Sequence, residues 1–317
     1  MPGLTVAAGL ARGLMELAVS KGANQRALAE RSGIEPNDLN DQDMRIPFEN
    51  YVALMRAGET LCNDPALALH YGETNDLARI SVVGLLGSAS ETMRDAFNQL
   101  NRYGRLVIEF DGPKERFRLT PRGGGLWLVD TREHPNAFPE LTESTFARMV
   151  CGPRQFGVTQ LAKAVHVTHA APAHRAEYDR IFQAPVVFDS DWNALLLDTS
   201  WMSHRIALQP RYVFGVLSER ADALLKSLES SKSTRGRVET LLMPILHTGE
   251  AGMDKVAGQL GFSRQTLFRR LRAEGVTFET VRDELRHGLA VSYLSGGKVS
   301  VNETAYLVGF SDPAAFS

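Results

Sequence analysis

Val256-Ala-Gly-Gln-Leu-Gly-Phe-Ser-Arg-Gln-Thr-Leu-Phe268 recurs 48 residues later as Thr304-Ala-Tyr-Leu-Val-Gly-Phe-Ser-Asp-Pro-Ala-Ala-Phe316. Ala257/Ala305, Gly261/Gly309, Phe262/Phe310, Ser263/Ser311 and Phe268/Phe316 are identical. The spacing predicts two helix–turn–helix motifs. A small residue (Ala257, Ala305) lets a second helix cross closely. Glycine four positions on can take φ > 0 and end the first helix. Phe262 and Phe310 plug the small core between the helices. Ser263 is placed to N-cap the second helix, and Asp312-Pro313 supplies a cap and an N1 proline in the other copy. Leu267 and Leu271, one turn apart, turn inward with Val256 and Leu260.

The outward residues of the first copy carry the chemistry. Arg264, Arg269, Arg270 and Arg272 place four arginines in nine residues without an acid. A helix docked in a major groove presents its N-terminal residues to base edges. Gln265, Thr266 and Arg269 are the expected base readers, since glutamine pairs with adenine and arginine with guanine. Ser263, Arg264, Arg270 and Arg272 flank them and suit phosphates. Between the motifs, Phe278, Val281, Leu285, Leu289 and Tyr293 form one apolar stripe, predicting a long helix that joins them. Such a link would set the two reading helices in successive major grooves.

Working outward, the polar stretch Glu229-Ser-Ser-Lys-Ser-Thr-Arg-Gly236 separates two helical patterns and reads as a linker at residues 231–236. Residues 231–317 hold 11 Lys+Arg against 9 Asp+Glu, whereas the part before them holds 24 against 28. The chain as a whole, with 317 residues and a formal charge of −2, is no polycation, so any nucleic-acid contact must be local. Its 44% hydrophobic content is that of a globular protein of two or three domains.

Residues 1–230 read as an α+β unit with a largely helical first third. Helical spacing covers residues 4–19, 47–61, 92–100, 140–150 and 213–228. Strands are expected at 106–110, 116–120 and 126–130, parted by Asp111-Gly-Pro113 and Pro121-Arg-Gly-Gly-Gly125, then at 164–168, 186–188 and 194–197. Phe110, Phe117, Trp127 and Trp192 are the pocket candidates, and each such aromatic is more often core than ligand contact. No uncharged run much exceeds eleven residues, short of the roughly twenty a membrane span needs. No export signal stands at the start, so a cytoplasmic location is expected.

Other chemistry is thin. His166-x-x-His169-x-x-x-x-His174 lacks a sequence-adjacent cysteine or acid to complete a zinc site. Cys62 and Cys151 lie far apart, without a neighbouring histidine or lysine, and read as inert thiols. No Gly-x-Ser-x-Gly elbow or phosphate loop occurs. No catalytic group, metal or cofactor is expected. Two alternatives stay open: an enzyme or metal sensor fused to a DNA-binding tail, and helical hairpins that bind other helices.

The tail over residues 235–317, with its Gly-Phe-Ser turns and the closing Thr-Ala-Tyr-Leu-Val-Gly-Phe-Ser-Asp-Pro-Ala-Ala-Phe-Ser, resembles the AraC-type transcriptional regulators. The upstream Ala-Pro-x-His174-x-x-x-Tyr178-x-x-x-Phe182-x-x-Pro185-Val-x-Phe188, followed by Asn193-Ala-Leu-Leu-Leu197, is similar to the subgroup named for arabinose binding. The resemblance implies an α+β sensing and dimerisation domain at 1–230, then an all-α domain at 237–317 with two helix–turn–helix motifs joined by a long helix. It implies an effector-responsive regulator, more often an activator, acting as a homodimer on paired promoter half-sites, with an unidentified small-molecule effector and RNA polymerase as partners. Family members continue past the second Gly-Phe-Ser, so the second recognition helix is expected to be incomplete here, with residues missing beyond Ser317.

Overall fold

Gly123-Gly124 is the two-residue turn of a hairpin, and both residues take left-handed φ values of 59° and 76°. That conformation matches the twist of the strands it joins. A computed structural model describes residues 3–206, 211–248, 251–295, 299–310, 312–313 and 316. These divide into two compact units, 3–225 and 226–317.

In the first unit, the short strands β1 (Thr5–Ala7) and β2 (Arg45–Pro47) pair antiparallel around helices α1 (Ala8–Ser20) and α2 (Gln25–Ser32). Then follow α3 (Phe48–Cys62), α4 (Leu67–Thr74), α5 (Val82–Ser88) and α6 (Met93–Val107). The hairpin strands β3 (Phe117–Arg122) and β4 (Gly125–Asp130) lead to α7 (Glu140–Cys151), β5 (Ala162–His166), α8 (Arg175–Phe182), β6 (Val186–Val187) and β7 (Ala194–Leu197). The main sheet has the order β3-β4-β7-β5-β6, antiparallel except for the parallel β5–β6 pair. Its inner face packs on α6, α7 and α8 through Phe117, Leu128, Phe146, Val165, Tyr178 and Leu195, all buried. Helix α9 (Arg211–Lys232) runs from this unit into the next.

The structure corrects one strand. Residues 106–110 do not form a strand: α6 continues to Val107, and the extended Ile108 makes only an isolated bridge, Val6 to Ile108. The helix starts on a reciprocal Thr92–Asp95 capping box and buries Met93, Tyr103, Leu106 and Val107 at helical spacing, which outweighs the β-branched run. Residues 4–19 likewise begin as β1 before turning helical at Ala8. At the free edge of the sheet, Asn101 on α6 donates to the carbonyl of Phe117 at 2.9 Å and accepts its N–H at 3.1 Å.

The second unit is helical: α10 (Thr234–Leu242), α11 (Met253–Gln259), α12 (Arg264–Ala273), α13 (Phe278–Ser295) and α14 (Val301–Leu307). Val238, Leu242, Leu246, Val256, Leu267, Leu271, Phe278 and Val281 form its core. The stretch 229–236 is helical on both sides of Ser233, which caps α10 by accepting from Gly236 N–H at 2.9 Å. Glu274, just past α12, accepts the N–H groups of Thr234 at 2.7 Å and Arg235 at 2.9 Å, so its carboxylate sits on the positive end of α10. Partial burial raises the pKa of Glu274, but these hydrogen bonds outweigh it and leave a net lowering. Arg235 also bonds Glu239 and Glu284, which ties α10 to α13.

Candidate nucleic-acid interface and effector cavity

The Gly-Phe-Ser turns are the same object built twice. Phe262 N–H donates to Ala257 O at 2.9 Å and Gly261 N–H to Gly258 O at 3.1 Å. Phe310 N–H donates to Ala305 O at 2.9 Å and Gly309 N–H to Tyr306 O at 3.0 Å. This 6→1 and 5→2 pair is the Schellman ending, which needs a left-handed residue at its centre. Gly261 and Gly309 supply it at φ 69° and 85°. Ala257 and Ala305 are fully buried, and Phe262 packs against the core of the unit.

Past the first turn, Ser263 Oγ accepts Thr266 N–H at 3.2 Å and caps α12. Leu267 and Leu271 are buried, so at about 100° per residue Gln265 and Arg269 fall on the opposite side. Arg272 lies beside Arg269, nearer the end of the helix. Arg264 and Arg270 occupy the flanks. Gln265 and Arg269 are exposed, whereas Thr266 is half-buried and its hydroxyl lies 2.9 Å from that of Ser263. Arg264 is ion-paired to Asp254 at 2.7 Å, both exposed. Arg270 stacks on Phe262 at 4.3 Å and Arg272 on Phe268 at 5.7 Å, with Phe268 half-exposed. These stacks hold two guanidiniums in fixed directions while leaving their N–H edges open.

In the second motif, Ser300 and Glu303 form a capping box at the start of α14. Ser311 and the positions 314, 315 and 317 of the expected second reading helix lie outside the described residues.

The first unit contains a cavity of about 230 Å³. Met93, Phe97, Phe110, Phe117, Leu128 and Trp201 give it a largely apolar wall, with Arg116 and Arg148 among the polar contributors. Alternation along β4 explains why only some of the expected aromatics meet there: Leu128 faces the cavity, and Trp127 faces the other side of the sheet. There Trp127 stacks near Trp192, ring centroids 5.0 Å apart. Arg116 is buried and bonds Asp130 at 3.0 Å, while Arg132 reaches the same carboxylate at 2.9 Å. Burial pushes the Asp130 pKa up, but the two guanidinium charges override it and keep the carboxyl ionised below its usual range.

Of the three histidines, His169 and His174 both pack against Tyr178, and His166 stands apart from them. His166 Nδ1 lies 3.0 Å from Ser190 Oγ, His169 Nε2 lies 3.1 Å from the Tyr178 hydroxyl, and His174 lies 3.6 Å from Glu143. Among the described residues no group of three or more His, Cys, Asp or Glu is placed to hold a metal ion. Cys62 and Cys151 are free and half-buried, and desolvation raises both thiol pKa values. No helix among the described residues is long and apolar enough to cross a membrane.

Comparison with known proteins agrees with both units. The family described as "Arabinose-binding domain of AraC transcription regulator, N-term" matches residues 22–206, and a helix-turn-helix domain family matches residues 256–317. The ornithine utilization regulator of Pseudomonas aeruginosa is 25% identical, over 96% of this chain and 90% of its own length. The HTH-type transcriptional regulator VirS of Mycobacterium tuberculosis is 26% identical, over 96% of this chain and 89% of its own. The solved structure of the transcriptional regulator CdpR from Pseudomonas aeruginosa aligns over 92% of this chain and 91% of its own, at 20% identity and a TM-score of 0.42. With an arabinose-binding-type domain over more than half its length and a helix–turn–helix domain behind it, the chain belongs to the AraC-type transcription regulators and is a DNA-binding protein.

Proposed function

We propose that the protein is an effector-responsive activator that works as a homodimer on paired promoter half-sites, in the cytoplasm, by binding rather than catalysis. The observation that carries the DNA-reading part is the outward face of α12, where Gln265 and Arg269 stand exposed with no acid in the helix. In this reading Gln265, Thr266 and Arg269 meet base edges, and Ser263, Arg264, Arg270 and Arg272 meet phosphates. The Arg264–Asp254 pair is exposed and opens at little cost when a phosphate replaces the carboxylate.

The sensing and dimerisation role falls to residues 1–230, with the 230 Å³ cavity as the effector site. An effector bound more tightly in one arrangement of the dimer shifts promoter affinity by the same factor, and tenfold needs only about 1.4 kcal/mol. Contact with RNA polymerase completes activation.

The test is selection of genomic fragments by the purified protein at two salt concentrations. If about four phosphates are neutralised, log K falls against log salt with a slope near −3.6. Enrichment of one sequence with such a slope supports the reading; no binding at low salt removes it.

A further inference from the structure

Arg148 on α7 lines the effector cavity, and among the described residues no acid forms an ion pair with it. Its Nε and Nη2 are buried and make no hydrogen bond among the described residues. The guanidinium carbon lies 5.4 Å from the ring centroid of Tyr71, whose hydroxyl is already donated to Leu10 O at 2.6 Å. The other lining arginine differs. Arg116 has Asp130 at 3.0 Å and Thr145 Oγ1 at 3.3 Å. The lining acid Asp76 does not serve Arg148 either, since it accepts Ala78 N–H as the cap of a short 3-10 turn. Two more lining residues carry unsatisfied atoms, the acceptor Asn75 Oδ1 and the donor Trp201 Nε1.

Buried polar groups are nearly always paired, and an unpaired charged donor is the costliest exception. Three such residues on one apolar cavity describe a site whose hydrogen-bonding partners arrive with a ligand. A guanidinium fork fits a carboxylate with two parallel hydrogen bonds better than any neutral group. The volume is below the roughly 300–1,000 Å³ that holds drug-sized ligands, so the occupant is small. The remaining wall, Met93, Phe97, Phe117 and Leu128, offers apolar contact alone.

We infer that the effector is a small apolar carboxylic acid, held by its carboxylate on Arg148 with its hydrocarbon body against the wall between α6 and the sheet. Trp201 Nε1 and Asn75 Oδ1 supply two further polar points on the wall, for a hydroxyl or amino substituent on that body. This inference rests on the effector reading of the cavity and gives its ligand a chemical class.

The experiment is calorimetric titration of the full chain, without DNA, using octanoate and benzoate and their neutral counterparts octanamide and benzamide. The expected result is at least one acid binding tenfold or more tightly than its amide. Arg148→Gln is expected to abolish that preference while circular dichroism stays unchanged, and Arg148→Lys to keep part of it. If Arg148→Gln fails to fold, the acid-against-amide ratio on the unaltered chain and on Arg148→Lys decides. Equal affinity for acid and amide, binding of neither acid, or an acid preference that survives Arg148→Gln overturns the inference. An amide that binds alone sinks the acid but leaves the cavity an effector site. The effector reading itself fails separately, if a ligand that binds leaves promoter affinity unchanged.

Discussion

Arg286 on α13 donates from Nη2 to the carbonyl of Gly309 at 2.9 Å, and from Nε to that of Val308 at 3.0 Å. It also stacks over Phe310 at 4.7 Å. The connecting helix therefore does more than space the motifs, because its side chain closes the turn of the second one. We predict that Arg286→Ala lowers protection against hydrogen exchange across residues 301–310 by about 1–3 kcal/mol. Protection of α11 and α12 should stay as it was. A uniform loss across both motifs would contradict this role.

The two turn glycines should respond differently to the same change. Both have left-handed φ, so alanine at either costs about 1–2 kcal/mol. A Cβ on Gly261 meets nothing within 4 Å, while one on Gly309 comes 2.0 Å from Leu246 O. Gly309→Ala is thus expected to destabilise well beyond Gly261→Ala in denaturant titrations. Equal losses would mean that the backbone around Leu246 yields freely.

Replacing Arg269 by alanine is expected to flatten discrimination at one base position, by about 1–3 kcal/mol, without changing stability. Arg270→Ala should instead weaken all sequences alike and reduce the salt slope by about one. Competition binding with single-base operator variants separates the two. An unchanged base preference would take Arg269 off the reading face.

Stability should fall as pH rises through the acid-to-neutral range because of Glu59. Burial, with the charges of Glu140 and Glu143 nearby, raises its pKa from 4.5 to about 7. Below 4.5 the carboxyl is protonated whether the chain is folded or not, and nothing is lost. Between 4.5 and 7 the unfolded chain gives up a proton that the folded chain keeps, so stability drops, and above 7 the full penalty applies. Glu59→Gln should therefore raise Tm at pH 8 and make little difference at pH 4. A Tm gain independent of pH would assign the effect to packing.

The helix–turn–helix repeat was legible because it is local: a Schellman ending and an N-cap are settled within about eight residues of chain. The hairpin around Gly123-Gly124 was legible for the same reason, and β7 falls on the four residues its pattern named. Residues 106–110 were not, since a five-residue stretch with four apolar residues cannot separate a strand from the last turn of a helix whose start lies at Thr92. The serines at 229–236 carried a local meaning as helix punctuation: Ser230, Ser231 and Ser233 hydroxyls donate to carbonyls three residues back. Glu274, which accepts the N–H groups of Thr234 and Arg235 in that stretch, is remote in sequence. The cavity was illegible in the same way, because Asn75, Arg148 and Trp201 are brought together by packing alone. Of the arginines on α12, the sequence could not reveal which had a partner: Asp254 for Arg264 and Phe262 for Arg270.

The amide of Asn101 answers the first residue of β3 with one donor and one acceptor, as a neighbouring strand would. Further along the same strand, Pro121 has no N–H to offer. A free sheet edge is a template on which another chain can extend, and fibrillar association starts at such edges. Here one end of that template is already filled by a helix side chain and the other is short of a donor, so the β3 edge carries its own protection against growing sideways into a neighbour.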